Sequence, residues 1–259
     1  MGVLNVTPDS FSDGGRWFDH GAAIARGHEM VAQGADVVDV GGESTRPGAR
    51  PVSEAEELRR IVPVVAELAR SVRVSVDTRK AAVAEAAISA GATLINDISA
   101  TLWPVAASAG VGWVAMHMLG EPGTMQDSPR YEDVVTEVSE LLAARVGAAD
   151  EAGVEEIWVD PGIGFGKTMD HNLQLLRNLD RLVAIGRPVL VATSRKSFLG
   201  RLAAGPGQPP APIEDRLAGS LATAVWSIAH GASMVRAHDV AETVAAVRLL
   251  TLDIETAAA

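Results

Sequence analysis

A short apolar run that closes on polar residues, followed by a stretch with helical spacing, recurs eight times along the chain. The runs are Met1–Val6, Val37–Gly42, Val72–Thr78, Thr93–Asp97, Gly112–His117, Glu156–Asp160, Pro188–Ser194 and Ser233–Asp239. They are rich in Val and Ile and apolar nearly throughout, as strands are when helices cover both faces of a parallel sheet. Between them, Leu58, Ile61, Val62, Val65 and Leu68 share one helical face, and Ser53 with Glu56 forms a capping-box signature ahead of it. Pro63 interrupts that stretch and predicts a kink or a new start. Val134, Val138, Leu141 and Leu142 mark another amphipathic helix, and Gly34, Gly91, Gly110 and Gly153 stand where C-terminal caps belong. Eight such units in 259 residues, without a linker or a second composition regime, predict an α/β fold. Its form is a (β/α)8 TIM barrel, one domain over residues 1–259. An open doubly wound sheet is the competing architecture, and it usually has fewer strands.

Composition narrows the function classes. Twenty-two Lys and Arg against 33 Asp and Glu leave a net charge of −11, which argues against a broad grip on nucleic acid or an anionic membrane. One small cationic pocket remains compatible with that balance. Zero Cys removes disulfides, thiol nucleophiles and thiolate metal sites, and is consistent with a cytoplasmic setting. No apolar run approaches the roughly 18 residues of a spanning helix, and no signal segment opens the sequence. Loops 7–19 and 43–52 are rich in Gly, Pro, Ser and Asp, and Gly205–Pro212 reads as a surface loop.

In a barrel of this kind the active site is built at the C-terminal ends of the strands. Those ends carry Asn5, Glu43–Arg46, Asp77, Asn96 and Asp97, His117, Asp160, Ser194–Lys196 and Arg236–Asp239. Carboxylates, amides and cations converging from non-adjacent strands suit a small heteroaromatic ligand held by several edges. Asp77 and Asp160 can accept paired N–H donors, or each can cap the helix that follows it. Asn96 can read a mixed edge, with the same capping role open to it. Arg195, Lys196, Arg236 and His238 place cations after strands seven and eight, where barrels commonly hold phosphate, though Arg236 can equally ion-pair with a nearby carboxylate. Gly162–Lys167 (GIGFGK) lacks the spacing of a P-loop or dinucleotide fingerprint and reads as a tight turn that lets a flat ligand approach the backbone. Met116 and Phe165 can wall such a ligand or belong to the core. No Ser-His-Asp order and no His cluster with metal spacing is present, which leaves a loosely held Mg2+ on an oxygen such as that of Asn5.

Met1–Gly15 (MGVLNVTPDSFSDGG), Val38–Gly48 (VDVGGESTRPG), Ser75–Thr78 (SVDT), Asp160–Asn172 (DPGIGFGKTMDHN), Ser194–Gly200 (SRKSFLG) and Arg236–Val240 (RAHDV) closely resemble the motifs of the dihydropteroate synthase family, in order, from Met1 to about Val247. The resemblance implies a (β/α)8 barrel that joins 6-hydroxymethyl-7,8-dihydropterin diphosphate to 4-aminobenzoate and releases diphosphate. It implies Mg2+, competition by sulfonamides and a homodimer. Asp77, Asn96, Asp160 and Lys196 match the residues that hydrogen-bond the pterin edges, Arg236 the one that stacks on its face, and Met116 and Phe165 its apolar walls. Asn5, Arg236 and His238 match the diphosphate site, with Asn5 the metal ligand. Phe11, Thr45, Arg46, Pro47, Lys196 and Ser197 match the aminobenzoate side. Asp77, Asp160, Lys196 and Arg236 carry the catalytic weight in this reading.

The sequence departs from the family pattern at two places. Ala100 stands at a usual Gly, followed by Thr101-Leu102-Trp103, and Ala192 replaces a Gly that normally lies against the pterin. These departures keep a second reading open, a pterin-binding paralogue without synthase activity. A third, the pterin-binding barrel of a methyl-transfer system, is disfavoured by the retained loop residues Ser10, Phe11, Thr45, Arg46 and Pro47.

Overall fold

The computed structural model describes residues 1–7, 20–44, 51–205 and 207–251. The strands are β1 (Gly2–Asn5), β2 (Val37–Gly41), β3 (Arg73–Asp77), β4 (Leu94–Asp97), β5 (Gly112–Met116), β6 (Ile157–Asp160), β7 (Leu190–Val191) and β8 (Met234–Val235). Helices α1 (His20–Ala32), α2 (Glu54–Leu68), α3 (Ala81–Ser89), α4 (Trp103–Ala109) and α5 (Val134–Glu151) alternate with the first six. Then come α6 (Met169–Arg177), α7 (Leu179–Val183), α8 (Ser197–Ala203), α9 (Leu217–Ala229) and α10 (Val240–Thr251). Strands β1 to β6 pair in parallel in chain order, and β7 pairs with β8. Single bridges from Val159 to Val189 and from Gly2 to Ala237 join the two pieces into a closed (β/α)8 barrel. No helix among the described residues is long and apolar enough to cross a membrane.

The last two strands are much shorter than the runs Pro188–Ser194 and Ser233–Asp239 predict. Past Val191 the chain turns at Arg195, whose φ is +60°, and its polar groups bond away from the sheet. Thr223 Oγ1 donates to Thr193 Oγ1 at 2.8 Å, and Arg195 N donates to Ser220 Oγ at 2.9 Å, both on α9.

Side chains alternate strictly. Val38 and Val40, Val74 and Val76, Ile95, Trp113 and Ala115, and Ile157 and Val159 face outward into the layer shared with the helices. Val37, Leu94, Val114, Leu190 and Ala192 fill the barrel interior, with Trp158 and Met234 against them. Farther along the same inner face stand Asp39, Asp77, Asn96 and Asp160, so the interior changes from apolar to polar toward the mouth. The polar ends of the runs predict Asp77, Asn96 and Asp160 there; Asp39, in mid-strand, they do not.

Helix α2 continues through Pro63, so of the two outcomes expected there no new start occurs. The carbonyl of Arg59, four residues back, would normally accept the N–H that Pro63 lacks; it accepts instead from His20 Nε2 at 3.0 Å. Ser53 caps the helix by accepting from Glu56 N, but the Glu56 carboxylate turns to Arg59 and Arg60 rather than completing the box. The buried face is also rotated, taking in Glu57, Arg60 and Val64 while Leu58 and Val62 are only half-buried. The four cap glycines do lie at helix ends with positive φ.

Candidate active site

The β2–β4 side of the mouth is a network of side chains. Arg236 donates from Nε to Asp39 Oδ2 at 2.6 Å and from Nη2 to Asp77 Oδ2 at 2.7 Å. Asn96 Nδ2 donates to the same Asp39 oxygen at 2.9 Å. Neither Asp77 nor Asn96 caps a helix; the cap position of α3 belongs to Lys80. The ion-pair option for Arg236 is therefore realised, with two carboxylates at once. Burial pushes the Asp77 carboxyl up to about 7; Arg236 opposes that shift, and the neighbouring charge of Asp39 adds to it. The Arg236 guanidinium is held above its ordinary value, since the Asp39 and Asp77 charges outweigh the opposing effect of burial. Asp39 Oδ1, Asn96 Oδ1 and Ser75 Oγ are buried without a hydrogen-bond partner among the described residues. Buried acceptors left so are unusual and mark a place for a donor.

Asp39 was missed by reading strand ends alone. It sits in the middle of β2, opposite Ser75 in the register, and is fully buried. The available signal was a carboxylate within an otherwise apolar run, on the parity that faces inward.

The β6–β7 side is organised by backbone. Asp160 is buried, and its Oδ1 accepts from Gly162 N at 2.7 Å in a local turn. The cap of α6 is Thr168, with His171 completing a capping box, so Asp160 is free of that duty. Burial raises its pKa, opposed first by the Lys196 charge. Lys196 Nζ donates to the carbonyl of Ile163 and lies 4.7 Å from the centre of the Phe165 ring. Burial lowers this ammonium to about 8, against the pull of Asp160. Gly162 and Gly166 both have positive φ, and a Cβ on either would collide with the carbonyl oxygen of His117 or Leu119. Only glycine lets the loop come this close to the end of β5. Met116 is buried at that end and Phe165 is half-buried in the loop.

The other expected residues divide. Asn5 is half-buried at the end of β1. His238 Nδ1 lies 3.0 Å from Ser194 Oγ, which also accepts from the His238 N–H. Ser197 is exposed in the first turn of α8. Phe11, Thr45, Arg46 and Pro47 lie outside the described residues, as does Ser10. At the described ends of the second loop, Glu43 accepts from Val52 N, while Lys80 Nζ donates to Glu43, Glu57 and the Val52 carbonyl.

The two departures have local accommodations. Ala100 holds φ +50° in a turn wrapped around the buried Asp97 carboxylate. That carboxylate accepts from the main chain of Ser99, Thr101 and Leu102 and from Trp113 Nε1. Ala192 packs its methyl among Val37, Leu94, Val114 and Leu190 in the barrel interior.

Residues 1–238 match the sequence model of the pterin binding enzymes. The chain belongs to that family. Within the pterin binding enzymes it is 47% identical to the dihydropteroate synthase of Mycobacterium leprae, over 96% of this chain and 91% of that one. The solved structure of the Xanthomonas albilineans dihydropteroate synthase with 4-aminobenzoic acid superposes with a TM-score of 0.88 at 44% identity, covering 96% of this chain and 90% of that one. A Yersinia pestis dihydropteroate synthase complexed with a sulfonamide drug gives 0.89 at 44% identity, covering 100% and 94%.

Proposed function

We propose that this chain is a dihydropteroate synthase, a transferase of folate biosynthesis. The arrangement that carries this reading is the convergence of Asp39, Asp77, Asn96, Asp160, Lys196 and Arg236 on the inner face of one barrel mouth. Its relatives of 44–47% identity are synthases over nearly their whole length, which leaves the inactive-paralogue reading without support.

The chemistry assigns each group a task. A pterin presents a row of N–H donors and acceptors along one edge, which Asp160, Asn96 and Lys196 are suited to read. The buried, unpaired Asn96 Oδ1 and Asp39 Oδ1 favour a ligand that brings donors. Arg236, anchored by Asp39 and Asp77, offers a flat guanidinium to the ring and a cation to the diphosphate. In the reaction the aniline nitrogen of 4-aminobenzoate forms a bond to the exocyclic carbon while the C–O bond to diphosphate breaks. The nitrogen then gives up a proton. Carboxylates beside the pterin oppose the positive charge that develops on that carbon, and cations stabilise the departing anion.

Mg2+ fits the donor set at one point, because Asn5 offers a single hard oxygen, suited to a cation held chiefly by substrate phosphate. When bound it would supply neutralising charge to the leaving group. Asn5 would hold it, while His238 and Arg236 would orient the diphosphate. Phe11, Thr45, Arg46, Pro47 and Ser197 form the aminobenzoate side of this proposal, with sulfonamides as competitors there. We further propose one domain over residues 1–259, a cytoplasmic setting, and a homodimer using α9, where Trp226 is 44% exposed.

The test is diphosphate release on mixing the purified protein with 6-hydroxymethyl-7,8-dihydropterin diphosphate, 4-aminobenzoate and Mg2+. Turnover that a sulfonamide suppresses competitively with 4-aminobenzoate is expected. Pterin binding without turnover would return the paralogue reading.

A further inference from the structure

Every carbonyl from Gly162 to Gly166 accepts a hydrogen bond from a side chain. Gly162 O and Phe165 O accept from Lys167 Nζ at 3.1 and 3.0 Å. Ile163 O accepts from Lys196, Gly164 O from Gln126 and Gly166 O from Tyr131. A loop that turns its main-chain acceptors toward protein needs donors for all of them, because a buried orphan carbonyl is costly. Lys167 alone supplies two, and it is only 3% exposed. Its Nζ also lies 3.4 Å from the His117 carbonyl and 2.9 Å from His117 Nδ1. An ammonium is a donor only, so the His117 nitrogen facing it must be the unprotonated one. Burial and the Lys167 charge accordingly hold the His117 ring at about 3, neutral at physiological pH.

Lys167 follows a glycine-rich loop, as a phosphate-binding lysine does, yet its ammonium is turned to protein acceptors, the carbonyls of His117, Gly162 and Phe165 and the His117 ring. No task assigned above to pterin, diphosphate or aminobenzoate uses it. What it touches are the neighbours of the groups that do the reading: Gly162, whose N–H fixes the Asp160 carboxylate, and Phe165, whose ring lies under the Lys196 ammonium. Ile163, between them, holds Lys196 directly.

We propose that Lys167 is a positioning residue for the pterin site: its ammonium gathers the carbonyls of His117, Gly162 and Phe165 and thereby fixes the loop that aims Asp160 and Lys196. The proposal rests on the pterin-site reading above. A pocket built from backbone tolerates little drift, since misplacement of about 1 Å in a reacting group can cost on the order of 10²-fold in rate. Burial draws the Lys167 ammonium down to about 7, opposed by the charge of Asp160.

The test compares Lys167→Met and Lys167→Gln with the wild type, using calorimetric titration with 6-hydroxymethylpterin and circular dichroism for folding. Met keeps most of the volume and no donor; Gln keeps two N–H donors. Pterin affinity is expected to fall at least tenfold in Lys167→Met and several-fold in Lys167→Gln, with KM for the pterin diphosphate rising in the same order. Folded variants with wild-type affinity would overturn the proposal, as would Met performing as well as Gln, because the loop would then be held by packing. Should Lys167→Met fail to fold, Lys167→Gln decides alone, and wild-type affinity in it overturns the assignment. A wild type that binds no 6-hydroxymethylpterin would instead refute the pterin-site reading itself.

Discussion

On the β2–β4 side of the mouth, Asp39 in mid-β2, Asp77 and Asn96 at the ends of β3 and β4, and Arg236 just past β8 form one side-chain network. On the β6–β7 side, Asp160 and Lys196 are held mainly by main-chain groups of one glycine-rich loop. The first arrangement is reciprocal: without Arg236 the Asp77 carboxylate loses its ion-pair partner, and without Asp39 both Arg236 Nε and Asn96 Nδ2 lose their acceptor. The second is hierarchical: loop geometry comes first and the side chains follow it. Electrostatics therefore sets the behaviour of Asp77, while conformation sets that of Asp160.

The largest effect is expected where main chain fixes the reading group. Asp160→Ala should weaken pterin binding by 100-fold or more, since at least two N–H donors would be buried without an acceptor at about 1–3 kcal/mol each. Near-normal affinity by calorimetry would shift the recognition to the other side. Next, Asp39→Asn takes one of two carboxylates from Arg236, and a charge-assisted bond of about 1.5–3 kcal/mol implies roughly tenfold weaker binding or more. Combined with Asp77→Asn the losses should be non-additive, because both act through one guanidinium. Additive losses would dissolve the network.

A third contrast concerns pH. The Lys196 ammonium is depressed to about 8 by burial, so it is charged below that pH and neutral above it. Pterin affinity should then fall on the alkaline side with a midpoint near 8. In Lys196→Arg, whose charge persists, the step near 8 should vanish whatever the absolute affinity, and any loss that remains near 7 belongs to Lys167. A limb unchanged in the variant would place the titration elsewhere. The smallest effect belongs to Ala192→Gly. It removes a packed interior methyl and adds chain entropy, for about 1 kcal/mol of lost stability, with pterin affinity within twofold. A gain in affinity would mean that the methyl obstructs the ligand.

The barrel was legible because eight apolar runs impose it, and Asp77, Asn96 and Asp160 were legible because strand ends point to the mouth. What was hidden depends on pairing across distance. Asp39 meets Arg236 197 residues away, and nothing near either residue announces it. The passage of α2 through Pro63 depends on His20 from another helix. The shortness of β7 and β8 depends on hydroxyls of α9 drawing Thr193 and Arg195 off the sheet. Lys167 is legible only as the last residue of the Gly162–Lys167 turn, because a backbone cage has no sequence signature beyond its glycines.

The two single-bridge joins in the barrel wall divide the ligand groups in an uneven way. Asp39, Asp77, Asn96 and Asp160 belong to the six-stranded arc, whereas Lys196 and Arg236 follow the two short strands that complete the circle. Anions thus ride on one panel and cations on the other, with few main-chain rungs across either hinge line. Segments with few such rungs open most readily. A flat molecule that touches both panels would work as a cross-brace, and its binding would be felt in the exchange rates of the amides that span the joins, Val159 N–H to Pro188 O and Ala237 N–H to Met1 O.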